Sequence, residues 1–222
     1  MNWQLSISSI PDLLQGAILT IELTAVAVSS GTIIGLLMAM CRLSKRKFLS
    51  VPSAVYVDFF RGTPLLVQLL LIGYGAPQVL NFQAPDNWFY IASIIALALN
   101  SGAYITEIFR AGIQSIDRGQ SEAARSLGMS QTQSMLYVIL PQAVKRVIPP
   151  LGNEFIAMLK DSSLVSVLAI QELLLSGKII VGRTYQPFPV YIMVALIYLV
   201  MTFIISRFVN YTERRFAKND IR

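Results

Sequence analysis

Residues 13–40 read LLQGAILTIELTAVAVSSGTIIGLLMAM, an apolar run with a single charged residue, Glu22. A helix needs about 20 mainly apolar residues to cross the hydrocarbon core of a bilayer. Further apolar runs follow along the chain: 51–80, 88–109, 147–159 continuing into 164–175, and 190–209. This pattern predicts an all-α integral membrane protein with five main transmembrane helices and a short extra helix after the fourth.

The composition agrees with a membrane location. Of the 222 residues, 55% are hydrophobic and 14% are charged, and the mean hydropathy is +0.60. A soluble domain of this size normally carries about 25% charged residues. We therefore expect one transmembrane domain over residues 1–222, with its core at about 13–216.

The positive charges are distributed unevenly between the predicted loops. Cytoplasmic loops of membrane proteins retain Lys and Arg. Most of the 18 Lys and Arg residues fall after the first span, between the third and fourth spans, or in the tail: Arg42, Lys45, Arg46, Lys47, Arg110, Arg118, Arg125, Lys145, Arg146, Arg207, Arg214, Arg215, Lys218 and Arg222. This bias predicts an outside N-terminus and a cytoplasmic C-terminus, and it accounts for the net charge of +6 without a nucleic-acid partner.

A polar loop, residues 117–141, separates the third and fourth spans. It contains SEAARSLG at 121–128, where Gly128 is suited to the left-handed conformation that ends a helix. Ser130 to Gln133 reads as a capping box that starts a second helix. Pro141 predicts the point where this helix gives way to the next span. Two short helices outside the bilayer form either a docking element or an ordinary solvated helix-turn-helix.

Several polar residues fall within the predicted spans, where an ionisable group is costly unless paired or hydrated. Helical rise brings Arg61, Asn100, Glu154 and Asp161 to a similar depth near the middle of the membrane. Arg61 suits a carboxylate, and the two acids suit an ammonium or guanidinium group. The alternative is internal neutralisation, by pairing of Arg61 with Asp58 or of Lys160 with Asp161.

The residue types for other chemistries are missing from the sequence. There is no His, and Cys41 is the single cysteine, so no metal cluster, disulfide or catalytic triad is expected. No glycine-rich phosphate-binding loop is present. We expect no catalytic residues and no cofactor in this chain. If ATP drives the protein, ATP and Mg²⁺ are bound by another subunit.

The polar loop resembles the cytoplasmic loop of ABC importer permeases. Glu122-Ala123-Ala124, Gly128 and then Val138 before Leu140-Pro141 stand at the spacing of that family, with Val138 where Ile is usual. Four further motifs resemble the polar amino acid branch and extend the likeness over about residues 13–216: Arg61-Gly62-Thr63-Pro64, Asn100-Ser101-Gly102-Ala103-Tyr104, Pro149-Pro150-Leu151-Gly152-Asn153 and Lys160-Asp161-Ser162-Ser163-Leu164.

The resemblance implies a type I importer permease that works by alternating access. It implies two ATPase subunits, a second permease subunit, identical or homologous, and an extracellular or periplasmic amino acid binding protein. Glu122, Ala123, Ala124 and Gly128 are the residues expected to couple the chain to the ATPase. The plasma (inner) membrane is the implied location.

The substrate prediction follows from the charges in the spans. Relatives that carry acidic amino acids have Asn where this chain has Asp161, and Glu154 adds a second negative charge. We therefore expect a basic amino acid (arginine, lysine or histidine) ahead of glutamine or glutamate. An ATP-independent secondary transporter is a weaker alternative. The expected substrate-binding residues are Arg61, Gly62, Thr63, Asn100, Ser101, Glu154 and Asp161.

Overall fold

The computed structural model describes residues 9–217, with side chains described up to Glu213. Regular structure in this range is helical. Residues 1–8 and 218–222, and with them the predicted sides of the two termini, lie outside the described range, as do the side chains of Arg214 and Arg215. The helices are α1 (Ile10–Arg42), α2 (Lys47–Gly62), α3 (Leu65–Leu80), α4 (Trp88–Gln114), α5 (Arg118–Ser126), α6 (Gln131–Leu168), α7 (Leu173–Thr184) and α8 (Pro187–Ala217).

Three of the described helices, α1, α4 and α8, are long and apolar enough to cross a membrane alone. Two bent pairs complete the set, because α2 with α3 and α6 with α7 each qualify as one broken span. Counted in this way, the structure has the five spans that the sequence predicts. The short extra helix expected after the fourth span is α7, which this count includes as the second part of that span.

Small residues allow the central pair of helices to pack closely. Helix α1 makes its most extensive contact with α4. A methyl group added at Gly31 would lie 3.1 Å from the Ala98 carbonyl oxygen, and one at Gly35 would lie 3.0 Å from that of Gly102. Close approach of backbones at small residues is a major source of packing energy between membrane helices. We call α1 and α4 the central pair. The broken spans pack against it.

Two side-chain hydrogen bonds connect α2 and α3 to the central pair. The Tyr56 hydroxyl on α2 donates to the Leu99 carbonyl oxygen on α4 at 2.6 Å, and the Trp88 indole donates to the Gly73 carbonyl oxygen of α3 at 2.7 Å. Glu22, which has no evident partner in the sequence, accepts a 2.9 Å hydrogen bond from the Tyr90 hydroxyl of α4.

The prolines of the fourth span do not break its helix. Helix α6 continues from Gln131 through Pro141, Pro149 and Pro150 to Asp161, and then tightens into a 3₁₀ segment. Its long α-helical stretch begins at Leu140 with Pro141 in the first turn, next to the boundary predicted there. Residues Met135–Ile139 form a π-helical turn directly before this proline. The wider turn changes the local hydrogen-bond register, which accommodates a residue without an N–H group.

Candidate functional site

The second span breaks next to the predicted substrate residues. Helix α2 ends at Gly62, Thr63 is extended, and Pro64 precedes α3, with a bend of 107° between the two helices. Proline cannot donate to the preceding turn, so carbonyl groups at the end of α2 lose their helical partners. In a membrane such groups must find partners within the protein.

Two amide side chains supply partners for these carbonyls. Gln68 Nε2 donates to the carbonyl oxygens of Phe60 at 2.9 Å and Thr63 at 3.0 Å, and also to the Thr63 hydroxyl at 2.9 Å. Asn100 Nδ2 donates to Gln68 Oε1 at 2.9 Å and to the Phe60 carbonyl oxygen at 3.3 Å. Both side chains are buried. We call Gln68 and Asn100 the amide pair. Their hydrogen bonds stabilise the conformation of the chain at the break.

Sequence reasoning missed Gln68. Its partners lie five and eight residues back along the chain and on another helix, so no helical spacing indicates them. The available signal is a lone amide in the apolar run that follows Pro64. A buried polar group in a span needs a partner, and the freed carbonyls at a proline are the nearest candidates.

Four of the predicted substrate residues line one cavity of about 390 Å³: Thr63, Asn100, Glu154 and Asp161. We call it the carboxylate cavity. Pro64, Leu65, Tyr104, Ala157, Met158 and Leu164 complete its lining. The volume falls within the range of sites for small organic molecules. Residues from α3, α4, α6 and the first break thus meet at one place.

Arg61 lies in an adjoining cavity of about 440 Å³, the arginine cavity, with Tyr104, Glu107, Arg146 and Glu154 in its lining. The Arg61 guanidinium sits over the Tyr104 ring, 5.2 Å from its centroid. Glu154 and Tyr104 line both cavities. A ligand placed across them can therefore meet a cation at one end and carboxylates at the other.

The two internal ion pairs considered from the sequence are not formed. Among the described side chains, ion pairs join Glu107 to Arg42 at 3.1 Å and to Arg110 at 2.6 Å. Arg110 is one helical turn from Glu107 on α4, while Arg42 reaches it from α1. Arg61, Glu154 and Asp161 belong to no ion pair within that part of the chain.

Gly62 and Ser101 lie beside the cavities and line neither of them. Gly62 is exposed, and a methyl group added there would meet no other atom within 4 Å. Ser101 is buried, and its hydroxyl lies close to the Glu154 carboxylate. Gly62 therefore faces open space, and Ser101 lies in the protein interior beside Glu154.

The polar loop forms the two short helical turns that the sequence predicts. Asp117 caps α5 by accepting from the Gly119 N–H at 2.7 Å, and Gly128 adopts a left-handed φ of +87°. The capping box is complete, with the Ser130 hydroxyl accepting from the Gln133 N–H and the Gln133 side chain accepting from the Ser130 N–H. The second helix is the start of α6.

The predicted coupling residues differ in exposure. Glu122, Ala123 and Gly128 are exposed, whereas Ala124 is buried within the loop. Beside them Leu127 is 83% exposed and Tyr137 is 71% exposed. Exposed side chains of this size, grouped on a small projecting element, are typical of a surface that another protein covers. Neither residue was among those predicted to couple.

Comparison with known proteins identifies the family. Residues 31–218 match the family described as "Binding-protein-dependent transport system inner membrane component". The chain belongs to this family. It is 39% identical to the probable amino-acid ABC transporter permease protein YckA of Bacillus subtilis, with 97% of this chain and 94% of the relative covered. It is 36% identical to the arginine transport system permease protein ArtQ of the same organism, with 99% of each covered.

A solved structure supports the same assignment. The structure described as "Crystal structure of an amino acid ABC transporter with histidines" superposes with a TM-score of 0.91 at 45% identity, covering 97% of this chain and 99% of the other. The chain is therefore a multi-pass membrane permease of an amino-acid ABC importer and is not itself an enzyme. Such an importer includes an ATPase and a binding protein as further components.

Proposed function

We propose that this permease carries basic amino acids, namely arginine, lysine or histidine. The observation that supports the proposal is the carboxylate cavity, in which Glu154 and Asp161 face the same space without an ion pair to a described residue. Two carboxylates that face one cavity attract a cation and repel an acidic side chain.

Each charged group has a role in this proposal. Arg61 binds the α-carboxylate of the substrate, and Glu154 or Asp161 binds the cationic side chain and the α-ammonium group. Glu154 borders both cavities and therefore lies between the two ends of a bound amino acid. Thr63, Asn100, Gly62 and Ser101 make up the rest of the substrate-binding region predicted from the sequence.

Relatives with different substrates define the competing candidate. The chain is 40% identical to the nopaline transport system permease protein NocM of Agrobacterium fabrum, with 96% of this chain and 91% of the relative covered. It is 35% identical to the putative glutamine transport system permease protein GlnP of Rickettsia prowazekii, with 93% and 94% covered. Glutamine is thus the second candidate.

The remaining components of the importer are proposed from its family. Two ATPase subunits hold ATP and Mg²⁺ and receive the polar loop at Glu122, Ala123, Ala124 and Gly128. A second permease subunit, identical or homologous, completes the pathway, and an external binding protein delivers the substrate. The N-terminus lies outside and the C-terminus in the cytoplasm of the plasma (inner) membrane. Transport follows alternating access and is driven by ATP.

The test is uptake into proteoliposomes that contain the permease, its ATPase and its binding protein. Labelled arginine, glutamine and glutamate are compared for the wild type, Glu154→Gln and Asp161→Asn. Asp58→Asn is the matched control, because Asp58 is exposed on α2 and lines neither cavity. We expect arginine uptake to fall about tenfold or more in the two cavity variants, the effect of losing one charged hydrogen bond.

Other results would contradict parts of the proposal. Preferred uptake of glutamine or glutamate by the wild type would refute the basic substrate, and undiminished arginine uptake in both cavity variants would refute the site. Uptake that continues with a hydrolysis-deficient ATPase would indicate a secondary transporter instead.

A further inference from the structure

The hydrogen bonds at the first break have a fixed direction. Backbone carbonyl oxygens only accept, so the side chain that faces the carbonyls of Phe60 and Thr63 must present N–H groups to them. This requirement orients the Gln68 amide with Nε2 toward the break and Oε1 toward Asn100. Asn100 in turn must present Nδ2 to Gln68 Oε1 and to the Phe60 carbonyl.

As a consequence, the side-chain amide N–H groups at this place are already used. The two N–H groups of Gln68 serve three acceptors, and those of Asn100 serve two. The Thr63 hydroxyl donates its proton to the Phe59 carbonyl oxygen at 2.8 Å. What remains for a ligand is the Asn100 amide oxygen and one lone pair on the Thr63 hydroxyl, beside the carboxylates of Glu154 and Asp161.

The other donors nearby do not change this balance. Lys160 lines a different cavity, with Ser163, Leu174 and Tyr198. The Arg61 guanidinium lies in the arginine cavity over the Tyr104 ring. The Tyr104 hydroxyl both donates and accepts, so it favours neither kind of ligand. The carboxylate cavity therefore offers acceptors on its neutral side as well as on its charged side.

We propose that Gln68 is a positioning residue that determines specificity. It fixes the orientation of the Asn100 amide, so that the amide oxygen, and not an N–H group, is free for the substrate. The inference rests on the proposed preference for basic amino acids. A guanidinium or ammonium group brings several donors and no acceptor, and it matches such a lining. A neutral amide or urea group brings its own carbonyl oxygen, which finds no free N–H group of Gln68 or Asn100 there.

The experiment measures equilibrium binding of labelled L-arginine to the purified permease–ATPase complex without the binding protein, with unlabelled arginine and citrulline as competitors. Citrulline has the shape of arginine, with a urea oxygen in place of one nitrogen. The wild type should prefer arginine more than tenfold. Gln68→Met removes the nearer of the two acceptors of Asn100 Nδ2 and leaves the Phe60 carbonyl at 3.3 Å, so the amide can turn an N–H group into the cavity, and the preference should fall about tenfold.

Gln68→Glu distinguishes this role from a structural one. It also removes the amide donors to the break, but its carboxyl oxygen still accepts from Asn100 and keeps the amide orientation. The preference should therefore stay within threefold of the wild type. Ser93→Ala is the matched control, since Ser93 is buried on α4 and donates only within its own helix, to the Phe89 carbonyl at 2.7 Å.

An unchanged preference in Gln68→Met, or an equal fall in both Gln68 variants, would overturn the inference. Where a Gln68 variant does not assemble, Asn100→Ala and Asn100→Asp decide: Ala should lower the preference and Asp, which presents acceptors alone when ionised, should keep it. Equal loss in these two would also overturn it. A wild-type complex that binds citrulline as well as arginine would instead refute the proposed basic substrate.

Discussion

The two broken spans of this permease are stabilised by different kinds of side chain, neutral amides in the first and a carboxylate in the second. The first break, at Thr63–Pro64, bends the chain by 107° and is held by the neutral amides of Gln68 and Asn100. The second break lies between α6 and α7, bends the chain by 52°, and is held by the buried carboxylate of Glu172.

Glu172 satisfies its charge with contacts from several elements. Its two oxygens accept from the Leu174 and Leu175 N–H groups at 2.8 Å, which caps α7, and from the Tyr198 hydroxyl of α8 at 3.0 Å. The Leu173 N–H donates to the Thr20 hydroxyl of α1 at 3.2 Å. The second break thus ties α1, α7 and α8 together.

The difference between the breaks follows from what each one borders. The first break faces the carboxylate cavity, whose fixed charges are those of Glu154 and Asp161. Neutral amides hold the chain there without adding such a charge. Glu172 lines neither cavity and is free to serve as a strong structural anchor.

The largest expected effect is on the second break, from Glu172→Ala. The change leaves two N–H groups and the Tyr198 hydroxyl without their acceptor in the protein interior, which should lower the free energy of unfolding by about 3 kcal/mol. Thermal unfolding of the purified protein in detergent measures it. Glu213→Ala, at an exposed position of α8, is the control. A loss no greater than in that control would show that the carboxylate is not the anchor.

A smaller loss is expected where α1 meets the second break. A methyl group at Gly16 would lie 2.6 Å from the Ser176 hydroxyl oxygen and 2.9 Å from the Leu173 Cα atom. Gly16→Ala should therefore destabilise the protein by about 2 kcal/mol, because backbone must move to relieve the overlap. The same unfolding assay tests it, with Gly182→Ala as control, since a methyl group there meets no atom within 4 Å. Equal stability of the two variants would contradict the tight contact.

Ala169→Gly should stabilise the second break slightly. Ala169 has a left-handed φ of 58°, a region that glycine enters without the steric cost of a Cβ atom. The gain is offset in part by the greater freedom of glycine in the unfolded chain, which leaves about 0.5 kcal/mol. Thermal unfolding should show a small rise in the midpoint. A fall in the midpoint would indicate that the methyl group contributes packing that outweighs the strain.

The smallest effect on stability is expected at the first break, from Gly62→Ala. The added methyl group enters open space, so the free energy of unfolding should change by less than about 0.5 kcal/mol. Arginine uptake per assembled complex should fall, since we propose that substrate passes beside this residue. Unfolding and uptake are measured on one preparation. Unchanged uptake would place the substrate path away from Gly62 and weaken the distinction between the two breaks.

The parts of the fold that sequence reasoning predicted depend on local pattern. Apolar runs indicated the five spans, and Gly128 with Ser130 indicated the turn and cap of the polar loop. Helical rise placed Arg61, Asn100, Glu154 and Asp161 at a similar depth, and in the structure these four residues and Thr63 line two adjoining cavities.

The parts that were missed depend on contacts between distant segments. The bond from Asn100 Nδ2 to Gln68, which lies 32 positions away along the chain, was not indicated by the sequence. Tyr90 is 68 positions from Glu22, and Tyr198 is 26 from Glu172. The π-helical turn Met135–Ile139, which precedes the α-helical stretch containing Pro141, was missed for a different reason: residue type alone does not reveal it.

Helix α6 runs without a break from the capping box to Asp161. It can therefore act as a rigid lever that pivots near its midpoint. At 1.5 Å per residue this part of the helix is about 45 Å long, and Arg146 lies about 22 Å from each end. Arg146 donates to the Ser115 carbonyl oxygen at 2.6 Å, and the neighbouring Val147 packs against Gly112, so α4 supplies a fulcrum near the midpoint. A tilt of about 5° around it would move the polar loop and Asp161 by about 2 Å in opposite directions.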